Sequence, residues 1–322
     1  MKKFFTLFIL SSVILSCGNK TESNSEVAEI DQNTEVKSPD PEVKLSLAQW
    51  SLHRRYKAKD GNPFNFARDA KELGFDAVEF VTQLYTKQIE EIGHDAVVDS
   101  LLAENKRHGV KCVLIMVDDE GDLADPNVKA RDLAVENHKK WVDAAAKLGG
   151  HAIRVNTFGT NDPKVWSETV VDGLKKLSEY AATKNINVLA ENHGWLSSDA
   201  DKLMAAIEKV NMSNCGTLPD FGNWCIKREN NERWGKCVEE YPDYYRGIEL
   251  MMPAAKAVSA KANTFDENGN ETRIDYYRMM QIVKDAGYDG HIGVEFESEE
   301  IDEPEGIVKT KQLIEKAAAK AN

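Results

Sequence analysis

From residue 43 to residue 322 the sequence predicts a single (β/α)8 barrel of the α/β class. Three observations point there. The apolar pattern switches eight times between short strand-like runs and longer helical stretches, the mark of parallel βαβ units. The about 280 residues that follow an N-terminal leader and tether match the length of one such barrel. No GxGxxG or Walker-type glycine loop speaks for an open nucleotide-binding sheet.

The chain begins MKKFFTLFILSSVILSCGN, with two lysines ahead of an apolar run that is too short for a permanent membrane span. Ile14-Leu15-Ser16-Cys17 resembles the bacterial lipobox, in which a small residue before cysteine permits cleavage and the cysteine carries the lipid. The resemblance implies a signal peptide over 1–17, lipidation at Cys17 and a cell-envelope lipoprotein, membrane-anchored and facing the periplasm. Residues 18–42 hold almost no large apolar side chains and are rich in Ser, Asn, Glu and Pro, so they read as a disordered tether. Contact with the membrane is expected through the lipid anchor only.

The eight strand runs are 43–53, 76–81, 110–119, 151–158, 186–193, 215–223, 257–265 and 291–298. Between them, apolar residues three or four apart place a greasy stripe on each helix, as in Trp166, Val170, Leu174, Leu177 and Ala181, or Ile307, Leu313, Ile314 and Ala317. Gly74, Gly109, Gly149 and Gly287 hand helices over to the next strand, where a left-handed residue is wanted.

The formal net charge of -13, from 41 basic and 54 acidic residues, opposes binding to phosphate backbones and sets nucleic acid aside as a partner. Beyond Cys17 the cysteines are Cys112, Cys215, Cys225 and Cys237, without a CxxC pair. Cys112 falls in an apolar run and reads as a buried thiol. A Cys225 to Cys237 bridge is open to an oxidising compartment but is not fixed by the sequence.

In such a barrel the chemistry belongs at the C-terminal ends of the strands. The fifth run ends AENHGW, and Glu191 and His193, two apart, face one side. The sixth supplies Asp220 in LPDFGNW; the eighth supplies Glu295 and Glu297 in GVEFES. Converging carboxylates raise each other's pKa unless a cation sits among them, and a hard divalent ion with oxygen ligands is the simplest such cation. The alternative for Glu191 taken alone is a structural ion pair with a lysine or arginine.

These residues resemble the sugar isomerase and epimerase group of xylose-isomerase-like TIM barrels. The resemblance is carried by QWSLHR on the first strand, AVEF on the second, AENHGWLSS on the fifth, LPDFGNW on the sixth and VEFES on the eighth. It implies a divalent metal held by Glu191, Asp220 and Glu295, with Glu191 and Glu295 also moving protons. Where many relatives place a metal-binding His on the seventh strand, this chain has Ser259, followed two residues later by Lys261. A hydroxyl is a poor ligand, so the resemblance implies an oxygen-rich site favouring manganese or magnesium over zinc. Lys261 is expected either to polarise a substrate carbonyl or to neutralise the acidic rim. Asn223 stands where DNA-repair relatives such as endonuclease IV carry an extra His, which sets that activity aside.

The remaining rim residues are read as substrate contacts: His53 closing the first strand, Glu79 in the second, Arg154 and Asn156 sharing a face of the fourth, His193, Trp195 and Asn223. Arg154 has the alternative of an ion pair with Glu79 or Glu191. Trp195 and Trp224 follow strands where an indole could stack on a sugar or simply pack in a loop. The expected function is a sugar isomerase or epimerase acting by proton transfer next to a carbonyl of a small carbohydrate, neutral or weakly charged in preference to a phosphate. A keto-sugar lyase or dehydratase, or a non-catalytic carbohydrate-binding lipoprotein, are the alternatives.

Radiolabelled fatty acid should enter the native protein and be absent from a Cys17→Ser variant; equal labelling of both would end the lipoprotein expectation.

Overall fold

The computed structural model describes residues 43–321; the leader, Cys17 and the tether lie outside the described residues. The strands are β1 (Leu45–Ala48), β2 (Ala77–Val81), β3 (Lys111–Val117), β4 (Ala152–Val155), β5 (Asn187–Glu191), β6 (Cys215–Leu218), β7 (Cys225–Arg228), β8 (Cys237–Glu240), β9 (Val258–Ala262) and β10 (Ile292–Phe296). Eight of them form one parallel sheet in the order β6-β5-β4-β3-β2-β1-β10-β9. Its two ends meet through isolated parallel bridges. The Ser259 amide donates to the Pro219 carbonyl at 2.9 Å and the Phe221 amide to the Ser259 carbonyl at 3.0 Å, closing the barrel between β6 and β9.

The outer layer consists of α1 (His53–Lys57), α2 (Phe66–Glu72), α3 (Thr86–Ile92), α4 (His94–His108), α5 (Val128–Leu148), α6 (Pro163–Ala182), α7 (Ala200–Val210), α8 (Tyr244–Met251), α9 (Tyr276–Asp285) and α10 (Glu303–Ala318). Side-chain caps start five of these helices: Asn127, Asp162, Asp199, Asp243 and Asp275 each accept from a backbone amide of the first turn. The stripes expected on α6 and α10 are buried in full. Gly109 and Gly149 end α4 and α5 in the left-handed conformation that a side chain would disfavour.

Two departures from the sequence expectation have physical causes. The first strand run stops at Ala48, and Gln49–Leu52 turn into a 3-10 helix because Gln49 folds inward, its Oε1 accepting from the Val81 amide at 3.0 Å. His53 therefore begins α1 and does not close a strand. The second departure is the antiparallel hairpin β7–β8, inserted between barrel strands β6 and β9 and too polar to have read as strands. A Cys225–Cys237 disulfide ties its two strands, while Cys112 and Cys215 remain buried thiols.

Helix–loop contacts next to the barrel mouth are close. On α6, a Cβ added at Gly173 would lie 2.0 Å from the carbonyl oxygen of Leu123, in the loop that follows β3. An alanine normally gains about 1 kcal/mol over glycine in a helix, but here it would collide with backbone. Gly173→Ala should lose about 2 kcal/mol of stability through overpacking, seen as a lower urea midpoint; a stabilised variant would show that the loop yields freely.

Candidate active site

A cavity of about 780 Å³ opens at the C-terminal ends of the barrel strands. Its floor takes Arg154 from β4, Lys261 from β9 and Glu295 from β10, with Asn156, His193 and Glu297 from the segments just beyond β4, β5 and β10. The loop after β3 contributes Asp118 to Asp122, and the hairpin contributes Arg233 and Trp234.

One carboxylate oxygen from each of Glu191, Asp220 and Glu295 lies within 4.8 Å of the others, and all three residues are buried. Glu191 ends β5, Asp220 follows β6, and Glu295 lies on β10, so the parallel register brings them together at one level. Asp220 is held by an Asx turn, its Oδ1 accepting from the amides of Gly222 and Asn223, both at 2.8 Å. Ser259 Oγ stands between the other two groups, 2.6 Å from Asp220 Oδ2 and 2.7 Å from Glu295 Oε2. One hydroxyl proton serves only one of these acceptors. The second short contact therefore needs a proton or a cation to be favourable. Burial in the first place, and then the neighbouring carboxylates, hold Asp220 above the ordinary carboxylate range.

A divalent ion fits this donor set. All three donors are hard carboxylate oxygens, the chemistry magnesium and manganese prefer. Glu191 Oε2 is ion-paired with Arg154 Nε at 2.8 Å, although the two buried atoms make no aligned hydrogen bond.

Two cations are built into the floor, and both are already paired. Arg154 Nη1 donates to Asp118 Oδ1 at 2.9 Å, and its Nε faces Glu191. The ion-pair alternative for Arg154 is thus realised with Glu191, and with Asp118 in place of Glu79. Lys261 Nζ lies 2.9 Å from Glu297 Oε2, 3.2 Å from Asn223 Oδ1 and 3.6 Å from Glu295 Oε1. The lysine holds Glu297 ionised at about 2, and Trp50 Nε1 fixes the other Glu297 oxygen at 2.8 Å.

His193 is oriented by a chain of amide and carboxylate. Asn156 Nδ2 donates to Asp118 Oδ1 at 2.6 Å, which turns its oxygen toward His193 Nδ1, also at 2.6 Å. That nitrogen must then carry the ring proton, leaving Nε2 as an acceptor. Burial, with Arg154 and Lys261 nearby, lowers the imidazole to about 3, so it is neutral at ordinary pH.

Several of the expected contacts lie outside the cavity lining. His53 stacks on Trp50 with ring centroids 4.5 Å apart and lies outside the cavity lining, because the early turn at Gln49 carries it past the rim. Trp195 packs edge-on against Phe158 at 5.8 Å, behind the cavity wall. Trp224 is fully buried, stacked on Tyr244 in the core under the hairpin. Asn223 does not line the cavity either; it donates to Glu191 Oε1 at 3.0 Å and accepts from Lys261, bracketing two site residues. Glu79 is sealed inside the barrel, where Gly293 makes room for it: a Cβ at Gly293 would lie 2.8 Å from both carboxylate oxygens.

Asp118, Trp50, Phe158, Arg233 and Trp234 line the cavity without having been anticipated. Asp118 could have been found, since it ends the apolar run VLIMVDD as Asp220 ends its own. Trp234 sits in a polar stretch with no periodicity to mark it.

A family sequence model for the xylose isomerase-like TIM barrel matches residues 67–317. Among curated proteins no match is found. Among solved structures, an L-ribulose 3-epimerase superposes with a TM-score of 0.67 at 15% identity, over 87% of this chain and 95% of that one. The apo form of a 3-keto-D-glucoside 4-epimerase from E. coli gives 0.63 at 15% identity, over 85% of this chain and 99% of that one. A xylose isomerase-like TIM barrel protein from Mycobacterium smegmatis in complex with magnesium gives 0.62 at 14%, over 87% of this chain and 97% of that one. At these identities the likeness is one of fold.

Burial pushes the Glu79 carboxyl up to about 8; the Ser46 hydroxyl, 2.6 Å away, opposes this, and Glu295 and Glu191 add to it. A carboxyl whose folded pKa lies above its unfolded value of 4.5 favours folding below that value, and the contribution is lost as pH rises through about 8. Stability should therefore fall across this window by up to about 1.4 kcal/mol per pH unit, and Glu79→Gln should flatten the fall. Parallel pH profiles for the two proteins in chemical denaturation would contradict a buried, proton-holding Glu79.

Proposed function

The chain belongs to the xylose isomerase-like TIM barrel family, and from that premise we propose that it is a sugar isomerase or epimerase assisted by a divalent metal. The observation that carries the proposal is the convergence of three buried carboxylates, Glu295 lining the cavity and Glu191 and Asp220 buried next to it, with the cations Arg154 and Lys261 beside them. The ion, when bound, would act as a Lewis acid on a sugar carbonyl. Magnesium or manganese suits the all-oxygen donor set better than zinc.

The chain's own groups cover the proton movements. Burial raises the Glu191 carboxyl, with Arg154 opposing, so its carboxylate is a stronger base than an exposed one. Glu295 arrives from a different strand and can return a proton to the substrate from a second direction. The Lys261 ammonium faces Glu295 of β10 and Glu297 just beyond it, and can stabilise negative charge developing on a substrate oxygen. Neutral His193 offers Nε2 to a sugar hydroxyl. Arg154, Lys261 and Arg233, the last 2.6 Å from Asp122, are all paired with carboxylates, which supports a neutral or weakly charged sugar over a phosphate ester. The Cys225–Cys237 disulfide favours an oxidising compartment and supports a periplasm-facing envelope lipoprotein anchored at Cys17.

Keto-sugars incubated in D2O with the manganese-loaded protein should take up deuterium beside the carbonyl, followed by NMR, and Glu191→Gln should slow this at least about 100-fold. Asp220→Asn should weaken manganese binding in calorimetry by about tenfold or more. No exchange with any divalent metal, together with no calorimetric binding, would sink the proposal.

A further inference from the structure

The cavity is larger than the chemistry at its floor requires. At a water's share of about 30 Å³, its volume of about 780 Å³ equals some two dozen waters, about twice the heavy atoms of one hexose. Beyond its floor the cavity extends between the loop after β3, the first half of α5 and the hairpin, where Trp234 is 62% exposed although it lines the cavity. Its ring neighbours are Phe158 and His193, both at 5.4 Å and tilted by 82° and 59°, so neither lies parallel to the indole. With that exposure and no ring stacked on it, the indole presents an open surface next to the residue that offers Nε2 to the reacting sugar.

This exposed ring is held in place and does not trail in solvent. The hairpin that carries it is closed by the Cys225–Cys237 disulfide, and Arg228 Nη1 donates to the Gly235 carbonyl at 2.8 Å. Neighbouring Arg233 bridges to Asp122 across the cavity mouth and lies over Phe158 at 4.6 Å. A fixed, solvent-facing indole costs apolar exposure and is matched by the C–H face of a pyranose, which an electron-rich ring attracts. The polar groups around it, Arg233 among them, suit that ring's hydroxyls.

We propose that the substrate is a glycoside, with its keto-sugar ring over Lys261 and Glu295 and a second sugar ring stacked on Trp234. The inference rests on the carbohydrate reading of the site and goes beyond it in naming a two-ring substrate and the residue that selects it. It also assigns the disulfide a part in selectivity, since the staple holds the platform.

Calorimetry on the full chain with manganese, using D-fructose against the keto-disaccharides maltulose and lactulose, tests this. At least one disaccharide should bind tenfold or more tightly than D-fructose. In Trp234→Ala that advantage should shrink to threefold or less, and Trp234→Phe should keep most of it; a thermal melt checks that the exposed substitution leaves the fold intact. Equal affinity for D-fructose and both disaccharides, no binding of any of them, or an advantage that survives Trp234→Ala would each overturn the inference. Disaccharide preference without deuterium exchange would uphold the subsite and sink the isomerase reading. Exchange into D-fructose without disaccharide preference would do the reverse.

Discussion

The mouth of this barrel is governed by charge balance in a space with little water. Asp118, Glu191, Asp220, Glu295 and Glu297 crowd there against Arg154 and Lys261, with Glu79 sealed in the barrel interior. Burying a carboxylate is costly unless a cation or several donors receive it. The two cations are therefore each shared between carboxylates, and Asn223, Asn156, Ser259 and Trp50 spend their polar atoms on the remainder. Asp118 shows the solution at work: burial opposes its charge, yet Arg154 and Asn156 hold it below the usual range. Between Asp220 Oδ2 and Glu295 Oε2, however, a single hydroxyl serves two acids. That deficit is what a divalent ion would fill.

The second theme is a division of labour around the rim. Strand ends supply the rigid, charged floor, and their positions follow from the parallel register. The loop after β3 and the hairpin β7–β8 supply the walls, with Asp122 and Arg233 meeting across the opening. Rigid elements carry groups that must be placed closely, and loops carry those that define what enters.

Much of this was legible in the sequence. The eight strand runs and the helix stripes read directly because parallel strands buried on both faces and amphipathic helices leave opposite periodicities. Glu191, Asp220 and Glu295 were readable as carboxylates ending apolar runs, where only function or pairing keeps a charge. Other features depended on folding that local pattern does not encode. His53 was misplaced because one inward glutamine, Gln49, ends the strand early. Glu79 has the same signature as Glu191, but the absence of a side chain at Gly293 lets it sink inward. Trp195 and Trp224 were indistinguishable from Trp234 by composition. Only the course of the chain after β5 and after β6 decides that the first two pack and the third faces the cavity.

The line along which the barrel closes runs through its chemistry. Pro219 and Phe221, on either side of Asp220, bond to Ser259 across the junction of β6 and β9, and Glu295 lies on the strand next to β9. The carboxylates far apart in sequence thus become neighbours only when β6 and β9 join. An unclosed chain has no set of ligands to offer, so an ion that binds here binds the native state alone. Its affinity is then linked to barrel closure: occupancy would act as a clasp on the seam, adding stability that grows with the logarithm of its free concentration.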